Sequence, residues 1–246
     1  MELTKDLAEF IGICIGDGCI SVNKRYSELS VCGDSIEERE YYDKTVIPLF
    51  NKTIGKPLLD YKLSGRDYSK NGVYGFKIFN KAVVDYLRNI GLKPGKKTNI
   101  EIPERLMTES LIRNVLRGIF DTDGTVYFNK STSGKHTQPR IKISSTSKNL
   151  IFQIKQISEK LGFRPYFKKP YKGKRDLNPV YSLVLYKKED INRWIKEIGF
   201  NNPKHTSKID IWKKIGKGLP RSNLKERKSI IFNLYNNLNT ETSKIF

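Results

Sequence analysis

The chain has 246 residues, 37% of them hydrophobic, and a formal net charge of +20 from 46 Lys or Arg against 26 Asp or Glu. That length allows one large domain or two smaller ones. A basic excess spread along the whole chain predicts a polyanionic partner, nucleic acid first. No apolar run approaches the roughly 18 residues of a membrane span, and the start Met1-Glu2-Leu3-Thr4 is no signal segment. Cys14, Cys19 and Cys32 lack the two-pair spacing of zinc sites, and their odd number predicts reduced thiols in a cytosol-like compartment.

In chain order, Thr4 or Asp6 can cap a first helix running to about Asp17, with Gly18 as its stop. Cys19 to Asn23 alternates as a strand with Ile20 and Val22 on one face, and Glu28 to Cys32 alternates with Leu29 and Val31 inward. Gly33-Asp34-Ser35 should break that strand and cap a helix over Ile36 to Ile54. Lys56 to Ser64 and Gly72 to Phe79 read as a strand pair around the loop Gly65 to Asn71. Asn80 caps a helix over Lys81 to Ile90, which Gly91 ends. Residues 93–109, with Pro94, Gly95 and Pro103, form a linker.

The order then repeats. A helix spans Ser110 to Asp123, strands span Thr125 to Asn129 and Arg140 to Ser144, and a helix covers Lys148 to Leu161. Strands over Arg164 to Tyr171 and Val180 to Tyr186 flank the turn Lys172 to Pro179, and a helix over Lys188 to Ile198 ends at Gly199. The basic remainder carries helices over Thr206 to Lys214 and Asn223 to Leu238, where Leu224, Ile230, Ile231 and Leu234 can dock on the body and the last residues fray. The expected fold is α+β: two pseudo-symmetric αββαββα halves, each with a four-stranded antiparallel sheet, at 1–92 and 110–203, followed by a basic helical extension at 204–246.

Two runs organise this repeat, Phe10-Ile11-Gly12-Ile13-Cys14-Ile15-Gly16-Asp17-Gly18 and Leu116-Arg117-Gly118-Ile119-Phe120-Asp121-Thr122-Asp123-Gly124. Each is an apolar helix with small residues four apart, Gly12 and Gly16 in one, Gly118 and Thr122 in the other, which lets two helix backbones pack closely. Each ends in Asp-Gly. A carboxylate at a helix C-terminus is misplaced, because that end already carries partial negative charge. Two such carboxylates side by side repel unless a proton or a divalent cation lies between them. Oxygen donors without His or Cys suit magnesium or a similar ion, which can activate water for phosphodiester hydrolysis. An EF-hand reading of Asp121-Thr122-Asp123-Gly124 fails, because Thr132 stands where a bidentate Glu is needed.

The paired runs resemble those of the LAGLIDADG homing endonuclease family in its single-chain, two-repeat form. The second run matches at nearly every place; the first departs at Ile15, where the family's first acidic residue would stand. The resemblance implies that Asp17 and Asp123 are catalytic metal ligands, with the carbonyls of Gly16 and Thr122 as further ligands. It implies Mg2+ or Mn2+ as cofactor, with Ca2+ binding without supporting cleavage. It also places a lysine near each metal site. Lys97 is the choice in the first half; in the second, Lys208 is favoured over Lys204. Its task would be charge stabilisation at the scissile phosphate.

The sheet faces turned away from the helices should read DNA, since a two-stranded ribbon fits the major groove. Alternation puts Ser21, Asn23, Arg25, Glu28 and Ser30 on that face in the first half, and Thr125, Tyr127, Asn129, Arg140, Lys142 and Ser144 in the second. Lys62, Arg66, Lys77, Arg164, Tyr166 and Lys168 extend the surface. The expected activity is a site-specific, metal-dependent double-strand DNA endonuclease with a long asymmetric target, which the resemblance implies leaves short 3′ overhangs. The expected partner is double-stranded DNA, with intron RNA as a second nucleic acid and no membrane. A monomer is expected, in the cytoplasm or an organellar matrix where the target lies. Alternatives on the same fold are an RNA-binding intron maturase and a non-cleaving DNA-binding regulator; the retained acidic pair argues against both. The chain begins at Met1 and ends Ser-Lys-Ile-Phe without terminal splicing residues, so an intron-encoded free-standing enzyme is expected over a complete intein.

Overall fold

The structure is a computed structural model that describes residues 2–60, 62–68, 72–174 and 177–242. In the first half, α1 (Lys5–Gly16) is followed by β1 (Gly18–Val22), β2 (Ser27–Asp34), α2 (residues 39–59), β3 (Arg66–Asp67), β4 (Val73–Phe79) and α3 (Lys81–Ile90). In the second, α4 (Glu109–Thr122) is followed by β5 (Gly124–Lys130), β6 (His136–Ser145), α5 (Lys148–Lys160), β7 (Tyr166–Tyr171), β8 (Val180–Leu185) and α6 (Lys188–Glu197). The extension forms α7 (Pro203–Ile215) and α8 (Leu224–Thr242). Both sheets are antiparallel, ordered β1-β2-β4-β3 and β5-β6-β8-β7, so the αββαββα repeat is borne out.

Local chemistry sets most element starts. Thr4 Oγ1 accepts from the Leu7 N–H at 3.2 Å, Asn80 Oδ1 from Val83 at 3.1 Å and Ser147 Oγ from Leu150 at 3.3 Å, each satisfying an orphan donor of a first turn. Strand alternation then divides the sheets. Ile20, Leu29, Phe76 and Ile78 in one half, and Val126, Ile141, Ile143, Leu183 and Leu185 in the other, lie buried under the helices. The opposite faces stay open.

The two halves meet along α1 and α4. A side chain at Gly12 would strike the Val115 carbonyl and come within 3.2 Å of the Gly118 Cα. One at Gly118 would strike the Glu9 carbonyl and lie 2.7 Å from the Ile13 nitrogen, and one at Gly16 would collide with Thr122 Oγ1. The expected small-residue seam is therefore backbone-on-backbone. It is reinforced from the side by the nearly buried Glu9, whose Oε2 accepts from Arg117 Nε at 3.0 Å while its Oε1 accepts from Asn201 Nδ2 at 2.5 Å.

Several expected boundaries move. Gly18 and Gly124 do not end their helices in a left-handed turn; each opens a strand, and a Cβ at either would strike the carbonyl four residues back, of Cys14 or Phe120. β2 runs on through Gly33 and Asp34, which pair with Tyr74 and Val73. Asp34 Oδ1 instead caps the following turn, accepting from Ile36 and Glu37. The helix then begins at Arg39 and continues past Ile54 to Leu59. Pro48 and Pro57 should interrupt it, since each lacks an N–H and crowds the carbonyl four residues back. Residues 42–46 and 51–55, just before each proline, widen into π-helical turns, which absorb the misfit and let the helix go on. That extension consumes Lys56 to Leu59, and no strand forms among the described residues of Lys56 to Ser64; a two-residue strand, Arg66–Asp67, stands instead within the expected loop.

The extension crosses from one half to the other. α7 lies along β5, whereas α8 docks on the first half through Leu224 and Arg227, which are 5% and 1% exposed. Glu37 receives both: its Oε1 accepts from the Leu224 N–H at 2.7 Å and its Oε2 from Arg227 at 2.6 Å. The other expected docking residues, Ile230, Ile231 and Leu234, are only half-buried. The expected fraying after residue 242 lies outside the described residues, as do parts of the loops at 65–71 and 172–179.

Candidate active site

Asp17 and Asp123 occupy equivalent places, 106 residues apart (123 minus 17). Each caps its helix with nearly the same backbone, φ −93° and ψ −9° at Asp17, φ −84° and ψ −9° at Asp123. Their N–H groups donate to Ile13 O at 2.8 Å and Ile119 O at 3.0 Å. Because α1 and α4 touch at Gly16 and Thr122, the two carboxylates share one neighbourhood. Burial, then the charge of Glu38, and further the charge of Asp123 lift the Asp17 carboxyl to about 7, while the Tyr42 hydroxyl, donating to Asp17 Oδ2 at 2.8 Å, pulls it down. Loss of solvent also raises Asp123, against Lys97 and Lys204. Both carboxyls are thus held toward their protonated form, chiefly by burial.

Two lysines answer from opposite sides. Lys97 Nζ donates to the Gly16 carbonyl, and Lys204 Nζ donates to the Thr122 carbonyl at 3.4 Å and to Glu38 Oε1 at 2.7 Å. Gly16 and Thr122 are themselves 106 residues apart, so Lys204, not the favoured Lys208, is the counterpart of Lys97. Lys208 lies further along β5, where its Nζ donates to Val126 O at 3.2 Å. Pro203 is the first residue of α7, so one helical turn separates Lys204 from Lys208, and Lys204 is the one that reaches Thr122.

Three participants carried no sequence signal strong enough to single them out. Glu38, 5% exposed, accepts from Asp34 N–H at 2.9 Å, from Asn202 Nδ2 at 3.0 Å and from Lys204. A Cβ on Gly33 would lie 2.6 Å from Glu38 Oε2 and 3.2 Å from Asp17 Oδ2, so Gly33 leaves room for both. Tyr42 reaches Asp17 from the first π-helical turn of α2. Asn202, fully buried, caps α7 and donates to Asp121 O at 2.8 Å. Asp121 is structural: its carboxylate accepts from the N–H groups of Asn201 and Asn202 and holds the start of α7. In the first half Ile15 stands at that place and is core.

On the open sheet faces, Ser21 pairs with Glu28, Ser30 with Lys77, and Arg66 with Gly75. Thr125 pairs with Lys142, Tyr127 with Arg140, Asn129 with Gln138, Tyr166 with Val184, and Lys168 with Ser182, whose hydroxyl meets Ser144 Oγ at 2.9 Å. Arg25 is exposed in the β1–β2 turn. Three residues depart from expectation. Asn23 uses its side-chain carbonyl to accept from the Arg25 and Tyr26 N–H groups, so it shapes that turn. Lys62 lies on the stretch that packs beside α2, near Asp43, Pro48 and Asn51. Arg164 precedes β7 and turns to the helix side, gripping the buried Asp190 at 3.0 and 3.1 Å.

The apposed ends of α1 and α4 thus carry two carboxylates between two open antiparallel sheets. Residues 110–199 match the family model described as a LAGLIDADG-like domain. By structure the chain is similar to the LAGLIDADG homing endonuclease I-LtrWI bound to target DNA, with TM-score 0.56 and 15% identity over 94% of this chain and 97% of that one. It is also similar to a variant of I-DmoI in complex with its target DNA in the presence of Mn, with TM-score 0.55 and 18% identity over 78% of this chain and 92% of that one. At these identities the likeness shows the fold, and the resemblance read from the paired motifs is borne out: the second repeat in sequence, the two-repeat whole in structure. Among curated proteins the chain is 23% identical over 209 residues to the replication factor C small subunit of Methanocaldococcus jannaschii, and 26% identical over 211 residues to glutamine–fructose-6-phosphate aminotransferase of the same organism. The match covers 85% and 84% of this chain but 10% and 17% of those proteins, so the chain spans less than a fifth of the curated relatives' length. No helix among the described residues is long and apolar enough to cross a membrane.

Proposed function

We propose that this chain is a divalent-metal-dependent endonuclease that cuts both strands of double-stranded DNA at a long, asymmetric site. The observation that carries the reading is the pairing of Asp17 and Asp123 at two apposed helix ends, with a lysine at the carbonyl beside each. The donor set fits a hard cation. It offers two carboxylates at adjoining helix ends and, beside each, a backbone carbonyl that already draws a cationic lysine. When bound, Mg2+ or Mn2+ supplies Lewis acidity to activate water and stabilise the leaving oxygen. Asp17 and Asp123 would hold it with the carbonyls of Gly16 and Thr122. Tyr42 fixes the Asp17 carboxylate by hydrogen bond. Lys97 and Lys204 would stabilise charge at the two scissile phosphates.

Each open sheet presents different side chains, hence an asymmetric target. One chain carries both halves of the site, so a monomer suffices. We divide it into repeats at 1–92 and 110–203, a linker at 93–109 that delivers Lys97, and the extension at 204–246. Short 3′ overhangs, an intron-borne gene and action wherever the target DNA resides complete the proposal. The test is cleavage of a randomised plasmid library with magnesium and with chelator. Asp17→Asn and Asp123→Asn should bind a recovered target and fail to cut it; cutting at full rate by either variant would sink the assignment.

A further inference from the structure

A cavity of about 430 Å³ opens beside the second half of the site, between β5 and the turn that leads from α7 into α8. Lys204, Lys208, Arg221 and Arg227 line it, with Glu37 the one carboxylate. Glu37 is already committed through both oxygens, to Leu224 and Arg227, and Lys204 is committed to Glu38. Two cations remain. Lys208 is half-buried and makes one hydrogen bond, to the Val126 carbonyl. Arg221 is exposed and sits at φ +63°, a left-handed conformation that residues with a side chain rarely adopt.

The first half shows that Lys208 is more than a cap. Ile20 is the counterpart of Val126, and its carbonyl is met by the backbone N–H of Gly95 at 3.0 Å. A neutral amide satisfies that oxygen in one half; the other half brings a full charge to it. Burial and then the nearby Arg227 push the Lys208 amine down to about 8, so its charge is held at a cost while no anion is there. Tyr127 also lines the cavity and belongs to the open sheet face, so the two surfaces are continuous. The extension from residue 204 carries ten Lys or Arg against three Asp or Glu.

We infer that this cavity is a cradle for the DNA backbone, built by the extension, in which Lys208 and Arg221 grip a phosphate of the strand lying on the second sheet. The identity of the anion rests on the endonuclease reading. The cradle adds a contact in the second half alone, so it fixes which way round the protein sits on its target. Phosphate contacts of this kind position the protein and carry no sequence information.

The test compares the wild-type chain with the double variant Lys208→Gln, Arg221→Gln. Affinity for a mixed-sequence DNA duplex is measured between about 50 and 200 mM salt, where each phosphate contact contributes roughly 0.9 to the slope of log K on log salt. The variant should lose about that much slope, while Lys160→Gln, on α5, should lose none. Separately, inorganic pyrophosphate without DNA should raise the melting temperature of the wild type and not of the double variant. Equal slopes, or equal stabilisation by pyrophosphate, overturn the cradle. If the wild type binds no duplex at all, the DNA reading of the chain fails and takes the occupant with it, whereas the pyrophosphate arm still decides whether the two cations form an anion site.

Discussion

Replacing Asp17 with Asn should abolish cutting and, above neutral pH, make the protein more stable. Folding lifts the Asp17 carboxyl from 3.8 to about 7, chiefly by burial and then by Glu38. At 1.36 kcal/mol per unit, ionising it in the folded chain costs at most about 4 kcal/mol. The side chain keeps part of its solvent contact, so screening reduces this to about 1–2 kcal/mol. A raised folded value means that the folded chain keeps a proton the unfolded chain has released. That contribution to stability is complete below the unfolded value near 3.8 and is lost as pH rises through about 7. Asn is neutral throughout, and its side-chain oxygen can still accept from the Tyr42 hydroxyl. Thermal melts in chelator should therefore coincide near pH 4 and separate by about 2–8 °C in favour of the variant near pH 8. Magnesium should then stabilise the wild type and not the variant, reversing part of the gap. A variant no more stable than wild type near pH 8, or a gap that does not close toward pH 4, refutes the reasoning.

Other outcomes follow from the same structure. Gly118→Ala puts a methyl group against the Glu9 carbonyl and the Ile13 nitrogen, where neither backbone can yield, and should cost about 3 kcal/mol or more by denaturant titration. Lys204→Met should slow single-turnover cleavage about 100-fold with binding nearly intact, whereas Lys208→Met should act mainly on the salt dependence of binding. Equal effects of the two on the cleavage step would return Lys208 to the site. His205 is fully buried against Phe200, and burial holds its pKa well below 6.5. The unfolded chain takes up that proton first, so stability is lost as pH falls below about 6.5. His205→Phe should flatten this fall in pH-dependent melts; an unchanged slope would show that His205 does not control it.

Where sequence and fold agree, a short-range rule was sufficient. Thr4 and Asn80 cap as their spacing demands, and Ile20, Leu29, Phe76 and Ile78 alternate into the core. Lys97 came only through the family resemblance, whereas Asp17 and Asp123 were legible because each half repeats a local pattern. Long-range chemistry was not. Glu38 looks like one surface acid among several until Asn202 and Lys204 arrive from 164 and 166 residues away. Lys204 and Lys208 are distinguishable only once Pro203 is known to start a helix. Arg164 keeps strand parity yet leaves the sheet, because the buried Asp190 on α6 needs a cation. The helix through Pro48 and Pro57 breaks a propensity rule, and its two widened turns are visible only in three dimensions.

The polar groups around the two carboxylates are drawn from nearly the whole length of the chain: Asp17, Glu38, Lys97, Asp123 and Lys204. During synthesis both motif helices, and both aspartates, leave the ribosome well before Lys204 and the segment that gives Glu38 its partners. Until then Glu38 stands beside Asp17 without a counter-charge. Repulsion between those two acids favours a protonated Asp17 or a displaced turn over a formed metal site. On the endonuclease reading, a nascent chain would hold an incomplete site until the segment that carries Lys204 docks.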